Sequence, residues 1–210
     1  MTTAAKFWDG VAEKYARSPI KDMDSYEHTL ERTASYLKKT DDVLELGCGT
    51  GMTALRLSPY ADTITASDVS PCMLAVGQKN AAEQQIENVA FVQADACRPP
   101  SWSYDVVLAF NVLHLVEDLN AALASVHEVM KPGGLFISKT FCPPQRGINL
   151  RFQAVRLALP VMQLLGKAPF VRFLSEAELD AAVERAGFEI VECDSFPVRD
   201  ARRFLVARKI

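Results

Sequence analysis

Apolar positions follow two alternating rhythms along this chain. Continuous apolar runs at 43–47, 63–67, 89–93, 104–110 and 134–140 lack polar alternation, the pattern of parallel strands covered on both faces. Between them the spacing becomes helical. Ser70-Pro71 supplies an N-cap and a first-turn proline for a helix reaching Glu83. Leu119, Leu123, Val126 and Met130 form one stripe, which Pro132-Gly133-Gly134 ends ahead of the fifth strand. Ser175-Glu-Ala-Glu178 is a capping box, opening a helix with Leu179, Val183 and Ala186 on one face and Gly187 as its stop. Two further strands, 188–195 and 203–209, bring the total to seven. Strands alternating with helices predict one α/β domain over residues 1–210.

Two stretches lie outside this alternation. Residues 1–40 form an N-terminal helical cover, with Trp8, Val11, Ala12 and Tyr15 on one face and Tyr26, Leu30, Thr33 and Leu37 on another. Residues 142–174 form an inserted helical lid, whose segment Leu150 to Leu165 is apolar on nearly every side and broken by Pro160. Ligands of open α/β sheets bind outside the carboxyl ends of the strands. Both stretches are placed to cover that end and to wall a substrate pocket, and the apolar insert also offers a homodimer surface.

Charge narrows the partners. With 23 basic and 26 acidic residues the net charge is −3, which gives no basic footprint for nucleic acid and favours a small-molecule partner. Arg199, Arg202 and Arg203 are the one local basic cluster and read as a solvated turn between strands. The start, Met1-Thr-Thr-Ala-Ala-Lys, lacks the apolar core of a signal peptide, and no apolar stretch is long enough to span a bilayer. Cys48, Cys72, Cys97, Cys142 and Cys193 are odd in number and widely spaced, so they read as reduced, mostly buried thiols of a cytoplasmic protein rather than a disulfide frame or metal site.

The chemistry concentrates after the first strand. Val43-Leu-Glu-Leu-Gly-Cys-Gly-Thr-Gly51 runs a strand into three alternating glycines, where the backbone can take positive φ and a flat ligand meets no Cβ. Asp68 closes the next strand 21 residues after Gly47, near the spacing at which a carboxylate grips ribose hydroxyls. A dinucleotide fingerprint is Gly-x-Gly-x-x-Gly, whereas this run is Gly-x-Gly-x-Gly.

Together with Glu45, this loop resembles the signature of class I S-adenosylmethionine-dependent methyltransferases. Further motifs follow in order: Ile64-Thr-Ala-Ser-Asp68-Val-Ser-Pro71, Phe91-Val-Gln-Ala-Asp95-Ala96, Tyr104 through Asn111 to His114, and Val129-Met-Lys-Pro-Gly133-Gly134. They cover residues 43 to 141. The resemblance implies a Rossmann-like seven-stranded sheet, mostly parallel, with helices on both faces and an antiparallel last strand between the fifth and sixth. It further implies that Gly47, Gly49 and Gly51 lie along the methionine part of S-adenosylmethionine and that Asp68 accepts from its ribose. Asp95 with the Ala96 amide would read the adenine edge, and Asn111 would meet the methionine amino group. Glu45 would orient the loop, while Val69, Met73 and Tyr15 complete the cofactor wall, Tyr15 closing over the methionine carboxylate or simply packing.

The sulfonium is an electrophile in itself, so catalysis reduces chiefly to in-line alignment of the acceptor in a dry pocket, leaving S-adenosylhomocysteine. Where the acceptor needs a base, His114 is the candidate, with shaping of the pocket as its other reading. His28 is a second candidate, His127 borders the apolar stripe, and Lys139 ends the fifth strand facing substrate or water. Phe7-Trp8-Asp9-x-x-Ala12-x-x-Tyr15 and Phe110-Asn-Val-Leu-His114 resemble the branch with ubiquinone and menaquinone C-methyltransferases. Three other readings stay open: an NAD-dependent oxidoreductase, a non-catalytic partner subunit that keeps the cofactor pocket, and a tRNA or protein methyltransferase.

Overall fold

The computed structural model describes residues 3–143, 150–195 and 202–210. One sheet contains β1 Asp42–Leu46, β2 Thr63–Asp68, β3 Val89–Gln93, β4 Tyr104–Phe110, β5 Met130–Phe141, β6 Phe188–Asp194 and β7 Arg202–Lys209. The order is β3-β2-β1-β4-β5-β7-β6. The first five strands are parallel, and β7 runs antiparallel between β5 and β6, where the resemblance placed it. Helices are α1 Thr3–Arg17, α2 Met23–Ala34, α3 Met52–Leu57, α4 Pro71–Glu83, α5 Leu119–Val129, α6 Leu150–Leu164 and α7 Glu176–Arg185.

The continuous apolar runs follow from cover on both sides of the sheet. Side chains alternate between faces along a strand, so Val43 joins one core cluster with Ile64, Leu74 and Leu108, whereas Leu44 joins another with Leu123, Phe136 and Leu179. Each such buried side chain contributes about 1.5–3 kcal/mol. The edge strand β3 is the exception, since Ala90 and Gln93 are exposed.

Local signals hold at two helix starts. Ser70 Oγ accepts from the Met73 amide, and Ser175 with Glu178 forms a reciprocal capping box. Other expectations need correction. Met130 shares the buried stripe of α5, yet its backbone is already extended and it pairs with Tyr104. A register shift then carries β5 past Pro132-Gly133-Gly134, with Gly133 at φ 74°, so the strand starts ahead of the Pro-Gly-Gly element. Helix α6 contains Pro160 within its span instead of ending there. Arg202 and Arg203 open β7: Arg202 pairs with Asp22 at 3.0 Å, and Arg203 grips Asp180 through two nitrogens at 2.8 and 2.6 Å. They are structural ion pairs, not a solvated turn; Arg199 lies outside the described residues.

Candidate functional site

From β1 the chain builds outward through β2 to β3, then returns to place β4 on the other side of β1. Loops leaving β1 and β4 therefore diverge, and a crevice opens at their carboxyl ends. A cavity of about 1490 Å³ occupies that end. Tyr15, Glu45, Gly47, Gly49, Asp68, Val69, Met73, Asp95, Ala96 and Asn111 all line it, whereas Gly51 and His114 do not.

The glycine loop needs its glycines for two reasons. Gly47, Gly49 and Gly51 have φ of 61°, 55° and 71°, a region L side chains rarely adopt. A Cβ on Gly47 would also lie 2.4 Å from Val112 Cγ2, and one on Gly51 would lie 2.4 Å from the Phe91 ring. Gly51 thus serves the fold, as N-cap of α3 packed under Phe91, while Gly47 and Gly49 border the cavity.

Asp68 ties this loop to the next. One carboxylate oxygen accepts the Gly49 amide at 2.9 Å and the other the Ser70 amide at 2.9 Å. Burial raises its pKa, and the Ser70, Gly49 and Val69 amides offset part of that rise. Each oxygen keeps a second lone pair for a ligand hydroxyl. Ser70, not Asp68, caps α4 through its side chain.

Glu45 is buried beside the loop. Desolvation pushes its pKa up to about 8, opposed by a hydrogen bond from the Ala54 amide and reinforced by the charge of Asp68. Its Oε2 is buried without a hydrogen-bond partner. An unpartnered carboxyl oxygen at the wall of a cavity this size fits a polar ligand: as the acid it donates, and a nearby cation favours its ionised, accepting form.

On the far wall, Asp95 is exposed and folds its own loop, taking the Cys97 amide at 2.8 Å on Oδ1. Met73 is buried, and Val69 accepts from the Gln93 side chain at 3.0 Å. Asn111 has φ 56° and donates its amide to the Lys139 carbonyl at 2.7 Å. That turn directs the backbone after β4 across the glycine loop, where Val112 meets Gly47.

Both N-terminal helices close over this end. Asp9 of α1 accepts from Ser70 Oγ at 2.6 Å and the Cys72 amide at 3.1 Å, which holds α1 on the start of α4. The Ser70 hydroxyl lowers the Asp9 pKa accordingly. Phe7, Trp8 and Tyr15 stack edge to face, at 5.2 and 6.3 Å between centroids, and the Tyr15 ring reaches over Gly49. Burial, then Asp68 and Glu45, raise the Tyr15 phenol pKa. Lys139 is only 5% exposed, so it does not face bulk water. Its Nζ donates to Ser25 Oγ at 2.8 Å, the Ser25 carbonyl at 3.2 Å and Thr29 Oγ1 at 2.7 Å, pinning α2 onto β5. Arg32 and Tyr36 both bond Glu192, which ties the C-terminal end of α2 to β6.

The three histidines occupy different settings. His114 sits in a single 3₁₀ turn at Leu113–Leu115, edge-on to Phe141 at 6.1 Å, and burial pulls its pKa down to about 4. It is a neutral imidazole at pH 7, not one poised near neutrality. His28 lies 4.0 Å from Asp194, away from the cavity lining. His127 packs edge-on to Phe188 at 5.3 Å, with its Nε2 buried and unpartnered, so it is structural without being hydrogen-bonded at that atom. Among the thiols, Cys48 and Cys142 are buried, and desolvation raises the pKa of both. Cys72 and Cys193 are exposed, contrary to the buried reading.

Three participants escape a sequence reading. Asp9 meets Ser70 across 61 residues, Phe91 fills the space above Gly51, and Phe110 adds an aromatic wall to the cavity. All three stand within sequence motifs, but the motifs do not announce these contacts, which join residues distant in sequence.

A family model described as a methyltransferase domain matches residues 16–193. Ubiquinone biosynthesis O-methyltransferase of Methylobacterium nodulans is 29% identical over 151 residues, 71% of this chain and 60% of that protein. Ubiquinone/menaquinone biosynthesis C-methyltransferase UbiE of Coxiella burnetii is 34% identical over 119 residues, 53% of this chain and 47% of that one. The chain thus spans about half to three fifths of the length of these curated relatives. Among solved structures, the DhpI–SAH complex superposes with a TM-score of 0.75 at 25% identity, covering 99% of this chain and 95% of that one. The [4+2]-cyclase SpnF shares the fold, with a TM-score of 0.69 at 19% identity over 87% of this chain and 80% of its own. With the model spanning most of its length and the same sheet order and glycine loop in place, the chain belongs to the methyltransferase domain family.

Proposed function

We propose that this chain transfers a methyl group from S-adenosylmethionine to a small-molecule acceptor by in-line displacement. One observation carries the reading: the glycine loop, the Asp68 carboxylate and the Asp95–Ala96 turn share the wall of one cavity at the switch point of the sheet. When bound, the cofactor supplies a methyl group on positively charged sulfur. Gly47 and Gly49 present bare backbone to its amino-acid end, Asp68 accepts from the ribose, and Asp95 with the Ala96 amide faces the base. Asn111 offers its backbone carbonyl to the amino group, and Tyr15 closes over the loop. The orphaned Glu45 oxygen gains its missing partner from the ligand.

The acceptor is left to the remainder of the cavity, whose volume exceeds what a single bound nucleoside needs and whose wall carries Trp8, Tyr26, Phe110 and Phe170. This apolar lining excludes water from the line of transfer. With the His114 imidazole neutral and outside the lining, its role is to shape the turn after β4 rather than to remove a proton. Alignment by the walls is then the main source of rate, worth up to about 7–11 kcal/mol in favourable cases.

Calorimetry tests the assignment. Asp68→Ala is expected to weaken S-adenosylmethionine binding by at least about tenfold, the loss of one or more hydrogen bonds to a charged acceptor. Unchanged affinity in a folded variant removes the ribose assignment, and binding of NAD in place of the sulfonium donor rejects the reading as a whole. A second reading, a cofactor-binding role without methyl transfer, is supported by the fold itself, which a [4+2]-cyclase also carries. Methyl transfer to any member of a small-molecule acceptor panel decides against it.

A further inference from the structure

Phe170 reaches the cavity wall from a stretch of chain without regular structure, between α6 and α7. Two fastenings hold that stretch, one on each side of the ring. Ahead of it, the Gln163 side chain of α6 donates to the Pro169 carbonyl at 2.9 Å. Behind it, Arg172 crosses the turn that follows β4: its amide donates to the His114 carbonyl at 2.7 Å, and its Nη2 donates to the Glu117 carbonyl. The same guanidinium stands 5.7 Å from the centroid of the Phe170 ring. Leu174 is buried in one core cluster with Leu113, so the stretch and the turn also share packing. Arg172 Nε is buried with no hydrogen-bond partner among the described residues, a stability cost that an aliphatic side chain of similar length would avoid.

We propose that Arg172 is a positioning residue: by fastening the chain after α6 to the turn after β4, it seats the Phe170 ring in the acceptor half of the cavity. The inference rests on the methyltransferase reading above, which gives the loops after β1, β2 and β3 to the cofactor. The walls left to the acceptor then include Leu115 and Val116 of the turn and Phe170 of the chain that crosses it. An aromatic wall on a loose segment must be ordered at each binding event, whereas a fastened one is ready beforehand and fixes the room for a ligand. Arg172 itself does not line the cavity, so it acts through Phe170.

2-Naphthol, a flat fluorescent phenol, is the probe for this wall in the chain loaded with S-adenosylhomocysteine. The parent is expected to bind it. Phe170→Ala should weaken that binding about tenfold, and Arg172→Met, which keeps the stem and removes the donors, about fivefold. Arg172→Lys, which restores a cationic donor, should recover most of the second loss. In all three variants the affinity for S-adenosylhomocysteine, read by calorimetry, should match the parent, and the melting temperature should not fall. Hydrogen exchange gives a readout that needs no acceptor: in unliganded Arg172→Met the amides of 168–172 and of 113–117 should exchange faster together, by at least about threefold, with those of 47–51 unchanged. Unchanged probe affinity in Arg172→Met, a parallel loss of S-adenosylhomocysteine affinity, or exchange that quickens in neither segment overturns the proposal. A loaded parent that binds no 2-naphthol overturns it too, because the Phe170 ring then walls no acceptor site. A parent that binds no S-adenosylhomocysteine fails the methyltransferase reading instead, and the exchange result still decides whether Arg172 fastens the two segments.

Discussion

Two carboxylates 23 residues apart in sequence face one cavity, and their surroundings set them to different tasks. Asp68 is held by two amides at 2.9 Å, while Glu45 has one amide and a buried orphan oxygen. Burial therefore raises the Glu45 pKa from 4.5 to about 8. A raised folded-state pKa favours the protonated form, so its stabilisation is complete below about pH 4.5 and is lost as pH rises through about 8. Relative to Glu45→Gln, the unliganded parent should lose up to ~5 kcal/mol across that window. Urea unfolding at several pH values measures it; parallel pH dependences for the two proteins would show Glu45 already ionised. His114 gives the opposite kind of prediction. Its imidazole, with pKa about 4, is neutral throughout the working range, so His114→Gln should leave the shape of the pH–rate profile above about pH 5 unchanged and alter at most the acceptor KM. Loss of a basic limb in that profile would restore it as a base. Sequence motifs locate both residues, but the pKa of each comes from burial, which no local spacing records.

Packing between elements explains what the motifs leave out. Phe91 on β3 lies against both Gly51 and Gly77, and a Cβ on Gly77 would come within 2.3 Å of its ring. Gly77 is an interior position of α4, where alanine would ordinarily favour the helix. Gly77→Ala should nevertheless destabilise by about 1–3 kcal/mol through overpacking. Phe91→Leu in the same chain should recover much of the loss; an additive double-mutant cycle would show that the ring is not the obstacle. The strands are legible because both faces are buried, and α4 and α7 because their caps are local. Met130 misleads for a physical reason: it keeps the helical stripe's burial while its backbone already pairs with Tyr104. Arg203 misleads because Asp180, its partner, is 23 residues away on α7.

Across the whole molecule, the glycine loop was legible in the sequence and the place of the last strand was implied by the family resemblance, whereas the contacts that attach the N-terminal cover were not legible. Asp9 and Lys139 make those attachments through contacts between residues distant in sequence. Cofactor binding at a site assembled from so many elements should stabilise the entire fold. S-adenosylmethionine or S-adenosylhomocysteine at a hundredfold excess over Kd should add about 2.7 kcal/mol, seen as a rise in melting temperature, and NAD should add none. An equal rise with NAD would count against the site as drawn.

The Lys139 ammonium has a consequence for how ligands get in and out. Its hydrogen bonds to Ser25 and Thr29 use the backbone and hydroxyls of α2 as a substitute for water. Lifting that helix would strip a cation of its oxygens inside an apolar wall, a cost of several kcal/mol. Ligand exchange that leaves α2 seated on β5 avoids that cost.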